Sequence, residues 1–137
     1  MLLRIHHIGI AVRNLDEATK NYVKIFDIKA GDVHYVPEKE LRAILLDVGN
    51  AKLELIEPMG TEGVIAKFIE SHGEGVHHIC FEVDDINKAL ESLSAKGIPL
   101  RDKVPRQGIT GKIAFLQEAI NGMTIELVEK HGGSGGI

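Results

Sequence analysis

Residues Ile5 to Val12 alternate between two sets of side chains, one of them apolar and β-branched, the pattern of a half-buried strand. Asn14 then offers an N-cap with Glu17 three residues on, and Leu15, Ala18, Tyr22, Ile25 and Phe26 recur at helical spacing. Strands are predicted next at about 32–35, 41–48 and 52–56. The same order returns later in the chain. Val76 to Val83 reads as a strand, Asp85 as a cap, and Ile86, Ala89, Leu90 and Leu93 as a helical stripe ending at Gly97. Strands follow at about 100–103, 112–116 and 124–128, and Gly49-Asn50 and Asn121-Gly122 are the hairpin signals before the last strand of each set. Between the two sets, residues 60–75 carry a short amphipathic helix with Val64, Phe68 and Ile69 on one side, ended by Gly73.

The recurrence extends to individual residues. A shift of 71 lays His6-His7-Ile8 on His77-His78-Ile79, Val12 on Val83 and Ala18 on Ala89. A shift of 72 lays Lys52-Leu53-Glu54-Leu55-Ile56-Glu57 on Thr124-Ile125-Glu126-Leu127-Val128-Glu129. The reading is therefore an α+β fold of two βαβββ modules in tandem, about 2–59 and 74–130, joined by the 60–75 linker helix within one domain over 1–131. Two four-stranded sheets would form a cup with the helices outside. The glycine-rich residues 132–137 read as a flexible tail outside the fold.

Composition narrows the function more than the fold. With 137 residues, 44% hydrophobic and 26% charged, the chain can bury a core of its own. Net charge is -4 with scattered Lys and Arg, and aromatics are 4%, so neither a phosphate-backbone footprint nor a stacking platform for single strands is present. No apolar run approaches a membrane span, no targeting segment is visible, and the lone Cys80 agrees with a reducing compartment, so a cytoplasmic location is expected.

Histidine is the unusual residue, with seven, four of them in the two repeated pairs. Strand alternation puts Ile8, Ile10 and Val12 on the helix-facing side, which leaves His7, Gly9 and Ala11 on the open one. By the same rule His78, Cys80 and Glu82 share the open face of the second module, and Glu54 and Glu126 project there from the last strands. His6 and His77 point to the helix side, and Cys80 is assigned to packing. Lone His34, His72 and His131 carry no pattern and read as ordinary surface or satisfied residues. Two histidines and two carboxylates converging across paired modules would make a set of imidazole and carboxylate ligands, suited to a divalent ion with positions left open for catalysis.

The His6-to-Val12 segment, the set His7, Glu54, His78 and Glu126, and the paired modules resemble the vicinal oxygen chelate superfamily, or glyoxalase/bleomycin-resistance fold. Within it the methylmalonyl-CoA epimerases are the nearest resemblance, through Leu53-Glu54-Leu55-Ile56-Glu57-Pro58, Ile65-Ala66-Lys67-Phe68-Ile69, the run Gly73 through Val83, Lys112 through Leu116, and Ile125-Glu126-Leu127-Val128. The resemblance covers nearly the whole chain up to Lys130. It implies an isomerase that interconverts the two epimers of an acyl-CoA by removing the α-proton, with a divalent ion (Co, Mn, Ni, Fe or Zn) stabilising the enolate. It also implies metal ligation by His7, Glu54, His78 and Glu126, proton transfer by Glu126 with Glu54 as possible partner, and a homodimer. Some members of the family carry a further glutamate on the third strand of the first module, where this chain has Ala43. Lys67 and Arg106 are candidates for the CoA phosphates. A glyoxalase I acting on glutathione hemithioacetals, or a non-enzymatic binding module, is the alternative.

Overall fold

The computed structural model describes residues 1–131. Its elements are β1 (Leu2–Ala11), α1 (Leu15–Phe26), β2 (Ala30–Val36), β3 (Leu41–Asp47), β4 (Lys52–Pro58), α2 (Val64–His72), β5 (Gly75–Val83), α3 (Ile86–Ala95), β6 (Arg106–Gln107), β7 (Gly111–Phe115) and β8 (Thr124–Lys130). Twice the order is βαβββ, as the repeat predicts, with α2 between. The predicted tail lies outside the described residues. No helix of the described residues is long and apolar enough to cross a membrane.

The described residues divide into two compact units, one of residues 7–77 and one of residues 1–6 together with 78–131. In the 7–77 unit the strand order is β2-β3-β4-β1, with β1 parallel to β4 and β2, β3 and β4 antiparallel in turn. Ile10, Val12, Ile44, Leu46, Leu53 and Leu55 form one face and pack on Leu15, Ala18 and Tyr22 of α1. Burying side chains such as Leu15 and Leu55 contributes roughly 1.5–3 kcal/mol each. The other face places Ala11, Ala43 and Ile56 under Ile65, Phe68 and Ile69 of α2. Two helical phases differ from expectation here. Ile65 takes the inward position in α2 and Val64 is 63% exposed, because the helix starts at Val64 itself and its first residue precedes the docked turn. Ile25 and Phe26 end α1 in solvent, with Phe26 touching only the Tyr22 ring among its aromatic neighbours in the described residues, since the helix outruns the sheet it covers.

In the other unit the order is β5-β8-β7-β6, again with the outer members antiparallel and β5 parallel to β8. Val83, Ala114, Ile125 and Leu127 pack on Ile86, Ala89 and Leu90 of α3. The strand expected at about 100–103 is not formed; β6 is two residues, 106–107, and Leu100 keeps only an isolated bridge to Leu116. The backbone instead folds around Phe115. Arg101 and Asp102 both donate their N–H to the Phe115 carbonyl at 3.0 and 3.2 Å, and the Asp102 carboxylate takes the Phe115 N–H at 2.9 Å in place of a strand carbonyl. Pro99 and Pro105, which lack an N–H, flank the segment and keep it from continuing a ladder.

Both helix starts follow the predicted caps. The Glu17 N–H donates to Asn14 Oδ1 and the Lys88 N–H to Asp85 Oδ1, each at 3.0 Å. A second glutamate of each repeat adds to this: Glu57 accepts from the Leu15 N–H and Glu129 from the Ile86 N–H, both at 2.9 Å. Strand alternation explains the division of labour, since residues 57 and 129 lie three positions after 54 and 126 and so face the helix. The turn before β8 takes φ of +53° at Asn121 and +80° at Gly122, the two positive values that a two-residue type I′ hairpin requires.

Glu57 also pairs with the Arg42 guanidinium. Burial pushes its carboxyl up, but the hydrogen bonds from Arg42 and the Leu15 N–H, together with the Arg42 charge, outweigh this and hold it below its ordinary value. A lowered folded-state pKa means stability present above the unfolded value and lost as pH falls through the folded one. Glu57→Gln is therefore expected to cost about 1–2 kcal/mol at pH 7. The gap to the wild type should close on acidification below the ordinary value of 4.5. Urea titrations at several pH values read this directly.

Candidate metal centre

Each unit presents one histidine and one glutamate from adjacent parallel strands. In the 7–77 unit, the register sets Gly9 opposite Glu54 and His7 opposite Lys52, so His7 and Glu54 stand diagonally on the face away from α1. His7 Nε2 and Glu54 Oε1 are 3.4 Å apart, with both side chains largely buried. Gly9, directly opposite Glu54 on β1, adds no side chain to this face. In the second unit, His78 lies opposite Thr124 and Cys80 opposite Glu126, the same diagonal. His78 Nε2 and Glu126 Oε1 are again 3.4 Å apart and buried. The repeat thus produces two copies of one local geometry, each supplied by its own unit.

The donor chemistry fits a divalent ion. A separation of 3.4 Å exceeds a good N–H···O hydrogen bond. It agrees with two donors of one ion at about 2.1 Å, which stand roughly 3.0–3.4 Å apart. A divalent cation bound at such a pair would compensate the cost of burying its carboxylate. Imidazole and carboxylate suit Zn, Co, Ni, Fe or Mn.

The remaining predicted residues fall elsewhere. Cys80 is fully buried in a small apolar cluster with Ile113, Val128 and Phe115, which agrees with packing. His77 was expected to face its module's helix; it packs edge-on against Phe68 of the linker helix α2, ring centroids 5.1 Å apart. His72 stacks on the same Phe68 at 4.7 Å, and His131 meets Gln107. His6 is buried. Ala43 is fully buried beside Ile56 and Ile65, so the third strand of the first module offers an apolar wall where some family members carry a glutamate. Arg106 is engaged by Asp102 through two hydrogen bonds, and Lys67 is exposed on α2.

Two side-chain groupings escaped sequence reasoning. Glu82 is 6% exposed on the open face, with Lys130 Nζ at 3.8 Å and Arg4 Nε at 3.5 Å from its Oε1. The signal was present in the repeat, since Glu82 and Lys130 stand where the first module has Ala11 and Pro58. Phe115 is the other. Its ring meets His78 edge-on at 6.5 Å, and the Arg101 and Arg106 guanidinium carbons lie 5.0 and 5.7 Å from its centroid. Nothing in the one-dimensional pattern joins residues 101, 106 and 115.

The family model described as "Glyoxalase/Bleomycin resistance protein/Dioxygenase superfamily" matches residues 6–116, a stretch holding both histidines and Glu54. The chain belongs to this superfamily. Among curated relatives, it is 34% identical to the ethylmalonyl-CoA/methylmalonyl-CoA epimerase of Cereibacter sphaeroides, covering 93% of this chain and 98% of that one. It is 33% identical to the mitochondrial methylmalonyl-CoA epimerase of Dictyostelium discoideum, covering 93% and 78%. A solved structure of a methylmalonyl-CoA epimerase in complex with methylmalonyl-CoA and NH4+ superposes with a TM-score of 0.88 at 31% identity, over 96% of this chain and 97% of that one. The vicinal oxygen chelate fold that the resemblance implied is thereby shown for this chain.

Proposed function

We propose that this protein is a methylmalonyl-CoA epimerase, an isomerase that inverts the carbon between the free carboxylate and the thioester of its substrate. The observation that carries this reading is the duplicated His–Glu pair, His7 with Glu54 and His78 with Glu126, in a chain alike over its length to epimerases of that substrate. His7 with Glu54 and His78 with Glu126 would serve as ligands of a divalent ion, Co, Mn, Ni, Fe or Zn. When bound, such an ion supplies Lewis-acid stabilisation of the negative charge that develops on the thioester oxygen.

The chain's own residues do the rest. Inversion requires a proton to leave one face of the α-carbon and another to arrive at the opposite face. Glu126 is the group that takes the proton, and its burial beside His78 and the Cys80–Phe115 cluster keeps bulk water from competing for it. Glu54 is the second carboxylate and the partner for the return step, because Ala43 has none to offer. His7 stands beside Glu54 and His78 beside Glu126, and each would share with its carboxylate the holding of the ion. Parallel assays with methylmalonyl-CoA and with the glutathione hemithioacetal of methylglyoxal test the reading. Epimerisation of the first and no turnover of the second is the expected result, and the reverse would make the protein a glyoxalase I.

A further inference from the structure

The open face of the second unit carries a guanidinium that the chemistry above leaves unused. Phe115 lies opposite Glu126 in the β7–β8 register, so its ring stands in the same row as the proposed proton-transfer group and meets His78 edge-on. Two arginines approach that ring, and their situations differ. Arg106 is neutralised by Asp102, with Nε to Oδ1 at 2.9 Å and Nη2 to Oδ2 at 3.3 Å. Asp102 in turn holds the Phe115 N–H, so this pair fixes the loop. Arg101 has no carboxylate partner among the described residues; its guanidinium is held on the aromatic face, while its main chain is anchored to the Phe115 carbonyl.

A cation stacked on a ring is attracted by the negative face of the π-system yet keeps its in-plane N–H donors directed outward. The loop is thus anchored by hydrogen bonds, the charge has no carboxylate partner among the described residues, and the ring on which it rests meets His78 of the second unit's pair. A substrate entering there is an acyl-CoA, which carries an acyl carboxylate and phosphates. We propose that Arg101 is a specificity-determining residue that binds an anionic oxygen of the acyl-CoA, with Phe115 as the platform that presents it. This rests on the acyl-CoA reading above, so its test separates binding from turnover.

The probe is malonyl-CoA, which lacks the α-methyl group and has no epimers to interconvert. Its dissociation constant is measured by calorimetry on the metal-loaded wild type and on Arg101→Gln, with propionyl-CoA and malonyl-pantetheine as partial ligands. Arg101 is exposed, so the variant should fold, which its thermal transition and metal content verify. The expected result is malonyl-CoA binding weaker by about tenfold or more in the variant, the loss of a charge-assisted hydrogen bond. If the anion is a phosphate, propionyl-CoA shows the same loss and malonyl-pantetheine none; if it is the carboxylate, the pattern reverses. Binding of malonyl-CoA within twofold of the wild type by Arg101→Gln overturns the assignment. A wild type that binds no malonyl-CoA and epimerises nothing overturns the acyl-CoA reading itself.

Discussion

Glu126→Gln is expected to keep its metal and lose epimerase turnover by about a hundredfold or more, the usual size of a general-base contribution. Glutamine has the same length and retains a carbonyl oxygen that can ligate, but it cannot accept a proton at neutral pH. The pair geometry makes the substitution informative. With Nε2 of His78 3.4 Å away, the substitution keeps a ligating oxygen in the same place while removing the basic one. Glu54→Gln serves as the companion, and a smaller loss there would place Glu126 first of the two carboxylates. Metal content, measured by elemental analysis beside kcat, separates a lost base from a lost ligand. An unchanged kcat in Glu126→Gln would move proton transfer to Glu54 or to a residue outside the repeat.

The second large effect is on the metal itself. His78→Ala removes one imidazole from the set and is expected to lower metal affinity by more than the 10- to 100-fold typical of losing a mere supporting hydrogen bond, with activity falling in parallel. The adjacent histidine is the control. His77 points the other way along the alternating strand and packs on Phe68, so His77→Ala should keep its full complement of metal. Unchanged stoichiometry in His78→Ala, or equal loss in both variants, would contradict the ligand assignment.

What could be read from the sequence was whatever depends on periodicity within one element. The alternation in β1 and β5 separated His7 from His6 and His78 from His77, and the same rule sent Glu54 and Glu126 to the open face. The side-chain caps at Asn14 and Asp85 are equally local, and both are formed. The misreadings came where an element's end or its partner decides the outcome. Val64 and Ile65 are both apolar, and only the docking of α2 on Ala11, Ala43 and Ile56 chooses between them. Ile25 and Phe26 continue the α1 stripe but extend beyond any surface that could cover them. The segment at 100–103 has strand-like composition, yet the Asp102 carboxylate competes successfully for the backbone of Phe115. Long-range side-chain groupings, such as Glu82 with Lys130 and Arg4 or Arg101 with Phe115, depend on register across strands and loops, which no local pattern encodes.

The measurement that bears most directly on the central claim is proton exchange at the α-carbon of methylmalonyl-CoA in deuterated water, followed by NMR with enzyme loaded with a divalent ion. One epimer is expected to become a mixture of both, with solvent deuterium entering at the inverted carbon and the reaction requiring the loaded metal. Recovery of the starting epimer with its proton intact, by a protein that carries its metal, would contradict it.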